Sequence, residues 1–264
     1  MDYTNLKKFV YGSISGFTNT ILFSPYDRAL YLSIKHNISF LRKRNWTNPY
    51  QGLSQSFFHR FSSYGFYYPI VDICGNNLSF ISSKPKRTIL ASGITSCIVG
   101  MITTPLEAIK MTNWNGEKNK NSFTLIKNMY TTSGVFPFLR CIHITLSRDI
   151  LFGSIYGALS MNFNENKKFI NDVIYACIAT TLTSPLTYYK KICYQSDMFG
   201  NPTLYNTFYK LNIDANKRYC NNIYIKLYYI LHERFCIGWS TLKVGLSISI
   251  SRQIYIYFND SINV

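Results

Sequence analysis

The sequence predicts an all-α membrane protein of six transmembrane helices in three tandem pairs. Three observations carry that prediction. Prolines recur at 25, 105 and 185, a period of 80 residues, in the related segments Ser24-Pro25-Tyr26-Asp27, Thr104-Pro105-Leu106-Glu107 and Ser184-Pro185-Leu186-Thr187. A fixed period marks one structural unit used three times. An uncharged run leads through each proline, Phe9 to Tyr26, Thr88 to Leu106 and Val173 to Tyr189, of 18, 19 and 17 residues, close to the roughly 20 that cross a bilayer as a helix. Aromatic residues make up 17% of the chain and charged residues only 15%, against about 25% charged in an ordinary soluble domain.

The first unit, residues 1–83, opens on its strong run, where Gly12 and Gly16 stand four apart; small residues at that spacing let helix backbones approach closely in lipid. A proline inside such a helix frees one carbonyl and kinks the chain, and the hydroxyls of Ser24, Thr104 and Ser184 are expected to satisfy the freed carbonyls. A polar link follows, then a weaker aromatic run, Phe57 to Val71, interrupted by Arg60. The second unit, 84–165, repeats the pattern with Ser92-Gly93 and Ser96-Cys97 upstream of its proline, then Ile142 to Met161 carrying Arg148. The third, 166–264, has Ala176 and Cys177, then Leu242 to Phe258 carrying Arg252. A lone arginine in a membrane helix faces a bundle interior or a water-filled cavity.

Net charge is +16, but the basic residues punctuate the uncharged runs, at Lys7-Lys8, Arg42 to Arg44, Lys84 to Arg87 and Lys210 to Arg218. That spacing suits loops beside anionic lipid and not a continuous groove for nucleic acid. Seven cysteines without a CxxC argue against a disulfide framework or a metal site. The polar start, Met1 to Val10, has no small-residue cleavage site, so no secretory or transit segment is expected there. The four histidines are scattered and no nucleophile motif or phosphate loop occurs; neither catalysis nor a cofactor is expected.

These residues resemble the mitochondrial carrier family, whose odd-numbered helices end in Pro-x-[Asp/Glu]-x-x-[Lys/Arg]. Pro105, Glu107 and Lys110 match it fully; Pro25 and Asp27 are followed by Leu30 in the basic place, and Pro185 and Lys190 flank Thr187 in the acidic place. Gly12 and Gly16 resemble the family's Gly-x-x-x-Gly, and Tyr50-Gln51-Gly52 its even-helix opening, with Cys141 and Gly245 in the matching later places. The resemblance implies a pseudo-threefold bundle around a central cavity, open alternately to either side of the mitochondrial inner membrane, with the proline ends on the matrix side. It implies a matrix gate of paired charges, of which Asp27 with Lys190 is expected to be the surviving pair, Glu107 facing Leu30 and Lys110 facing Thr187. The second network, on the other side, is expected to be largely lost, since Asp72 is followed by Gly75 and Tyr156 by Ser160.

By that resemblance, substrate contacts fall seven residues after each even-helix opening. The count gives His59 and Arg60, then Arg148 with Asp149, then Arg252 with Gln253. An Arg-Asp pair and the short link from Pro25 to Gly52 resemble carriers of amino acids and their derivatives, S-adenosylmethionine among them. The extra cations Arg60 and Arg252 suit an anion instead, a nucleotide or a carboxylate. A third alternative is a carrier fold turned membrane scaffold, suggested by the missing gate charges. The partners expected are a small-molecule metabolite and anionic membrane lipid such as cardiolipin, without nucleic acid, and the carrier is expected to be a monomer.

Overall fold

A computed structural model describes residues 3–116, 121–160, 168–196, 202–219 and 222–261. Every regular element among them is helical. Six helices are long: α1 (Tyr3–His36), α2 (Leu53–Asn77), α3 (Lys84–Asn115), α5 (Ile142–Ser160), α6 (Lys168–Gln195) and α9 (Trp239–Ser261). Between them lie α4 (Ser122–Ser133), α7 (Leu204–Arg218) and α8 (Ile223–Tyr228), with 3₁₀ turns at Lys43–Trp46 and Phe136–Leu139 and a π-helical turn at Tyr229–Arg234. The boundary expected between residues 165 and 166, and Met161 at the end of the fourth expected helix, lie outside the described residues.

The odd-numbered runs grow into helices longer than the uncharged stretches. Pro25, Pro105 and Pro185 all lie inside continuous helix, and α1 runs eleven residues past its proline to His36. One lost backbone bond is outweighed by what the extension buries: Ala29, Leu30 and Ile34 join Phe40, Leu211 and Cys236 in an apolar cluster. The hydroxyls do not rescue the carbonyls that the prolines free. Thr104 bonds the carbonyl of Gly100 at 2.6 Å and Ser184 that of Thr180 at 2.7 Å, each one residue before the freed group, and the Ser24 hydroxyl has no partner. Such back-bonding bends a helix. Helix α1 ends where Asn37 takes a positive φ of 55°, with the amide of Ile38 bonded to the Ser33 carbonyl at 3.1 Å, a left-handed cap that asparagine tolerates.

The six long helices close a ring, with α1 packing on α2, α2 on α3, α3 on α5, α5 on α6, α6 on α9, and α9 back on α1. Consecutive helices run in opposite directions, so the connectors α4, α7 and α8 gather at one end, and the start of α1 and finish of α9 at the other. Within each hairpin, small residues meet. Gly12 and Gly16 lie against the backbone of α2 at Tyr64 and Arg60, Gly153 and Gly157 against Ser96 and Ser92, and Gly245 against Val173 and Cys177.

Apolar packing is concentrated at the connector end. Tyr31, Trp114, Met129, Ile144 and Tyr194 share one cluster there, and the Ala29–Leu30 cluster lies beside it. Side chains pointing away from the ring are also apolar: Ile170, Ile174, Ile178 and Leu182 form an exposed stripe along α6, and Leu90, Ile94, Ile98 and Met101 another along α3. Side chains within the ring are polar, with Asn19, Thr95, Asp172, Thr183 and Ser249 all at 1% exposure or less. One described helix, α3, is long and apolar enough to cross a membrane on its own composition. The others mix this outer face with the polar inner one, which lowers their average.

Candidate functional site

Beside the prolines, at the connector end of the ring, lies an ionic layer. Asp27 on α1 receives two cations, Arg60 from α2 and Lys243 from α9, the latter at 2.7 Å. Glu107 on α3 pairs with Lys190 on α6 at 2.5 Å. Lys190 and Lys243 are only 8% and 7% exposed, so these pairs sit largely out of water. Among the described residues Lys110 has no carboxylate in ion-pair contact; its ammonium lies 5.1 Å from the centre of the Trp114 ring, within range of both Asp27 and Glu107. His59 sits near Glu107 and Lys110, and its Nδ1 is buried without a hydrogen-bond partner.

The pairing expected from sequence is therefore corrected. Asp27 does not pair with Lys190, and Glu107 does not stand opposite Leu30. The expectation paired charges on α1, α3 and α6 alone, whereas α2 and α9, the neighbours of α1 in the ring, supply both cations on Asp27. Lys190 is then taken by Glu107, Leu30 enters the apolar cluster, and the Thr187 hydroxyl bonds Thr183 of its own helix at 3.1 Å. Lys243 was missed because it belongs to no repeated motif.

Above this layer the polar contacts continue in steps. Arg60 reaches the Ser247 hydroxyl at 3.5 Å, Tyr64 meets it at 3.3 Å, and Ser247 donates to Asn19 at 2.9 Å. Asn19 also contacts Ser251. Next, Tyr68 of α2 stacks on Tyr255 of α9 with ring centres 3.6 Å apart, and Tyr67 and Tyr156 stand within electrostatic range of Tyr68. Tyr156 donates to Asp172 at 3.0 Å, and Arg252 pairs with the same carboxylate at 2.6 Å. Beyond lies Lys8 paired with Asp72.

At the end where the second network was expected to be largely lost, the described side chains are tyrosines and the Asp172–Arg252 pair. The tyrosines come from α2, α5 and α9, and Asp172 of α6 supplies the carboxylate that Tyr156 and Arg252 share. The Lys8–Asp72 pair is a minor part of that end, because Asp72 is 44% exposed. Asp72→Ala is expected to change thermal stability by no more than about 1 kcal/mol, read from the melting of the purified protein.

Of the substrate contacts expected from sequence, Arg60 and His59 lie at the ionic layer. Arg148 and Asp149 bind each other at 2.7 Å, with Arg148 over Phe152 at 5.0 Å and Asp149 set against Gly100 of α3. Arg252 lies elsewhere, among the tyrosines. The cause is the helix opening: Gly52 (φ 76°) precedes α2 and Cys141 (φ 59°) precedes α5, and the matching residue before α9 is Gly238 (φ 100°). Gly245 is inside α9. Counting seven from Gly238 reaches Gly245, flanked by Lys243 and Ser247, which do meet Arg60 and its partner.

The long helices form a closed ring with apolar faces outside and ion pairs within, a helical bundle with a polar interior. No known family profile matches the chain. It is similar to the mitochondrial glycine transporter of Xenopus tropicalis, 24% identical over 182 residues, which is 62% of this chain and 59% of that protein. It is similar also to the mitochondrial glycine transporter of Xenopus laevis, 24% identical over 168 residues, 57% of this chain and 56% of the relative. The chain thus spans less than two thirds of the length of each. These similarities support the mitochondrial carrier family.

Proposed function

We propose that the chain is a multi-pass carrier that moves a small metabolite across the mitochondrial inner membrane by alternating access. The observation that carries this reading is the inverted distribution of polarity: exposed isoleucines and leucines on the outer faces of α3 and α6, and buried Asn19, Thr95, Asp172 and Ser249 inside. A water-soluble bundle has the opposite arrangement, and lipid favours this one. All six long helices then cross the bilayer as three pseudo-symmetric pairs, 1–83, 84–165 and 166–264.

Two layers close the interior in this reading. At the matrix end, Asp27 and Glu107 draw together α1, α2, α3, α6 and α9; at the cytosolic end, the tyrosines of α2, α5 and α9 meet. Passage requires one layer to part while the other holds. Arg60, with Lys243 beside it, is the main contact for the solute, Arg148 and Asp149 lie at the same distance along their helix, and Arg252 acts in the outer layer. Basic loops at the connector end lie against anionic lipid, cardiolipin included.

The two Xenopus relatives are named for glycine, so small amino acids belong in the first panel of solutes. A sulfonium cation such as S-adenosylmethionine fits poorly, because the cations at the layer outnumber its carboxylates. Reconstitution into liposomes tests the reading. Exchange of at least one labelled solute from a panel of amino acids, carboxylates, nucleotides and phosphate is expected, and Arg60→Ala is expected to reduce it at least tenfold through loss of a charge-assisted contact. Properly folded protein that exchanges none of them would make the chain a membrane scaffold instead.

A further inference from the structure

The ionic layer carries more positive than negative charge. Asp27 and Glu107 are its carboxylates, while Arg60, Lys110, Lys190 and Lys243 are all in or beside it. The surplus is two, and Lys191 adds another cation within electrostatic range of Asp27. Asp27 alone is shared between two cations, and Lys110, in ion-pair contact with no described carboxylate, lies over the face of Trp114. Charge left uncompensated away from water is costly, and a ring face offsets only part of that cost. The imbalance is not one of crowding at a surface: Lys110, Lys190 and Lys243 are each 8% exposed or less.

We propose that the site between Arg60, Lys243, Lys110 and Lys190 takes a small dianion, a dicarboxylate or a phosphate, as the transported solute. This deepens the carrier reading and rests on it. One acidic end of the dianion takes Arg60 and Lys243 from Asp27; the other meets Lys110 beside the Glu107–Lys190 pair. Binding offsets the two surplus charges among Arg60, Lys110, Lys190 and Lys243. It also releases Asp27, so the same event that fills the site unfastens α1 from α2 and α9. Zwitterionic glycine leaves the surplus in place, and a cation enlarges it.

The test uses the full-length purified protein, its thermal unfolding followed with succinate, inorganic phosphate, glycine or S-adenosylmethionine at matched ionic strength. Succinate or phosphate at roughly a hundred times its dissociation constant should raise the melting temperature by about 5–10 °C. A shift from only one of the two tells dicarboxylate from phosphate, and either supports the site. A shift from glycine or S-adenosylmethionine that equals or exceeds both, or no shift from either dianion, overturns it.

Lys110→Met supplies a second reading of opposite sign. Removing an unpaired buried ammonium should raise the melting temperature of the ligand-free protein, while weakening the dianion roughly 10- to 100-fold. An unchanged dianion affinity in Lys110→Met overturns the proposal. Lys243→Arg keeps the charge and should keep the response, whereas Lys243→Gln should lose it. Liposome exchange separates the two readings. Dianion stabilisation without any exchange leaves the anion site standing and removes the carrier; glycine exchange without a dianion response does the reverse.

Discussion

Asp27→Asn is expected to destabilise the protein by about 3–5 kcal/mol, the range for removing one partner from a buried ion pair. The reason lies in the number of cations that depend on it. Arg60 and Lys243 reach the same carboxylate from helices on either side of α1, and with the carboxylate gone both lose their shared partner while close together and largely buried. Lys110 lies within range of the same carboxylate, so its surroundings become more positive as well. Thermal unfolding of the purified protein, followed by tryptophan fluorescence, measures the loss. Asp27→Asn combined with Lys243→Gln should recover part of it, because the second change removes a charge that the first left unpaired. If the double variant is less stable than Asp27→Asn alone by the full amount of Lys243→Gln, the two side chains are not coupled and the layer is not held by this contact. Glu107→Gln should follow the same course through Lys190 with a smaller loss, since a single cation is orphaned.

The helical ring is largely legible in the sequence. Three prolines at one period, and the uncharged runs through them, gave α1, α3 and α6 their places, and Arg60, Arg148 and Arg252 marked the helices between. What sequence could not give was which charges meet. Asp27 and Lys243 come together only when α9 closes the ring against α1, and nothing near Lys243 repeats elsewhere. The choice between Glu107 and Asp27 as the partner of Lys190 depends on which side each helix turns inward, a three-dimensional property. Tyr67, Tyr68, Tyr156 and Tyr255 were hidden for another reason: tyrosine is so frequent in this chain that a spatial cluster of it does not stand out from its background. The error over Gly245 was one of register. Gly238 carries the positive φ that opens α9, and a glycine seven residues later imitates it in sequence while serving a different end, close approach to α6.

Gly16→Ala is expected to be as damaging as the loss of Asp27, although it adds a single methyl group. A Cβ at position 16 would lie 2.6 Å from the Arg60 carbonyl oxygen and 3.0 Å from its carbon, both backbone atoms that cannot turn aside. Alanine should improve α1 locally by about 1 kcal/mol over glycine, so any net loss measures the contact between helices. Overpacking against side chains costs about 1–3 kcal/mol, and rigid backbone places this position at or above the top of that range; Gly16→Val should be worse again. Gly75→Ala is the matching control on α2, where an added Cβ meets nothing within 4 Å, and it should leave stability unchanged or improve it by the helix-propensity gain. Equal effects at 16 and 75 would mean that α1 and α2 do not approach closely. The consequence reaches the ionic layer, because the backbone that Gly16 touches is that of Arg60. Pushing α2 outward there draws the guanidinium away from Asp27, so Gly16→Ala and Asp27→Asn should cost less together than the sum of their separate losses. Strict additivity would show that helix packing and the charged layer act independently, and that the small residue below the proline has no part in setting the ion pair.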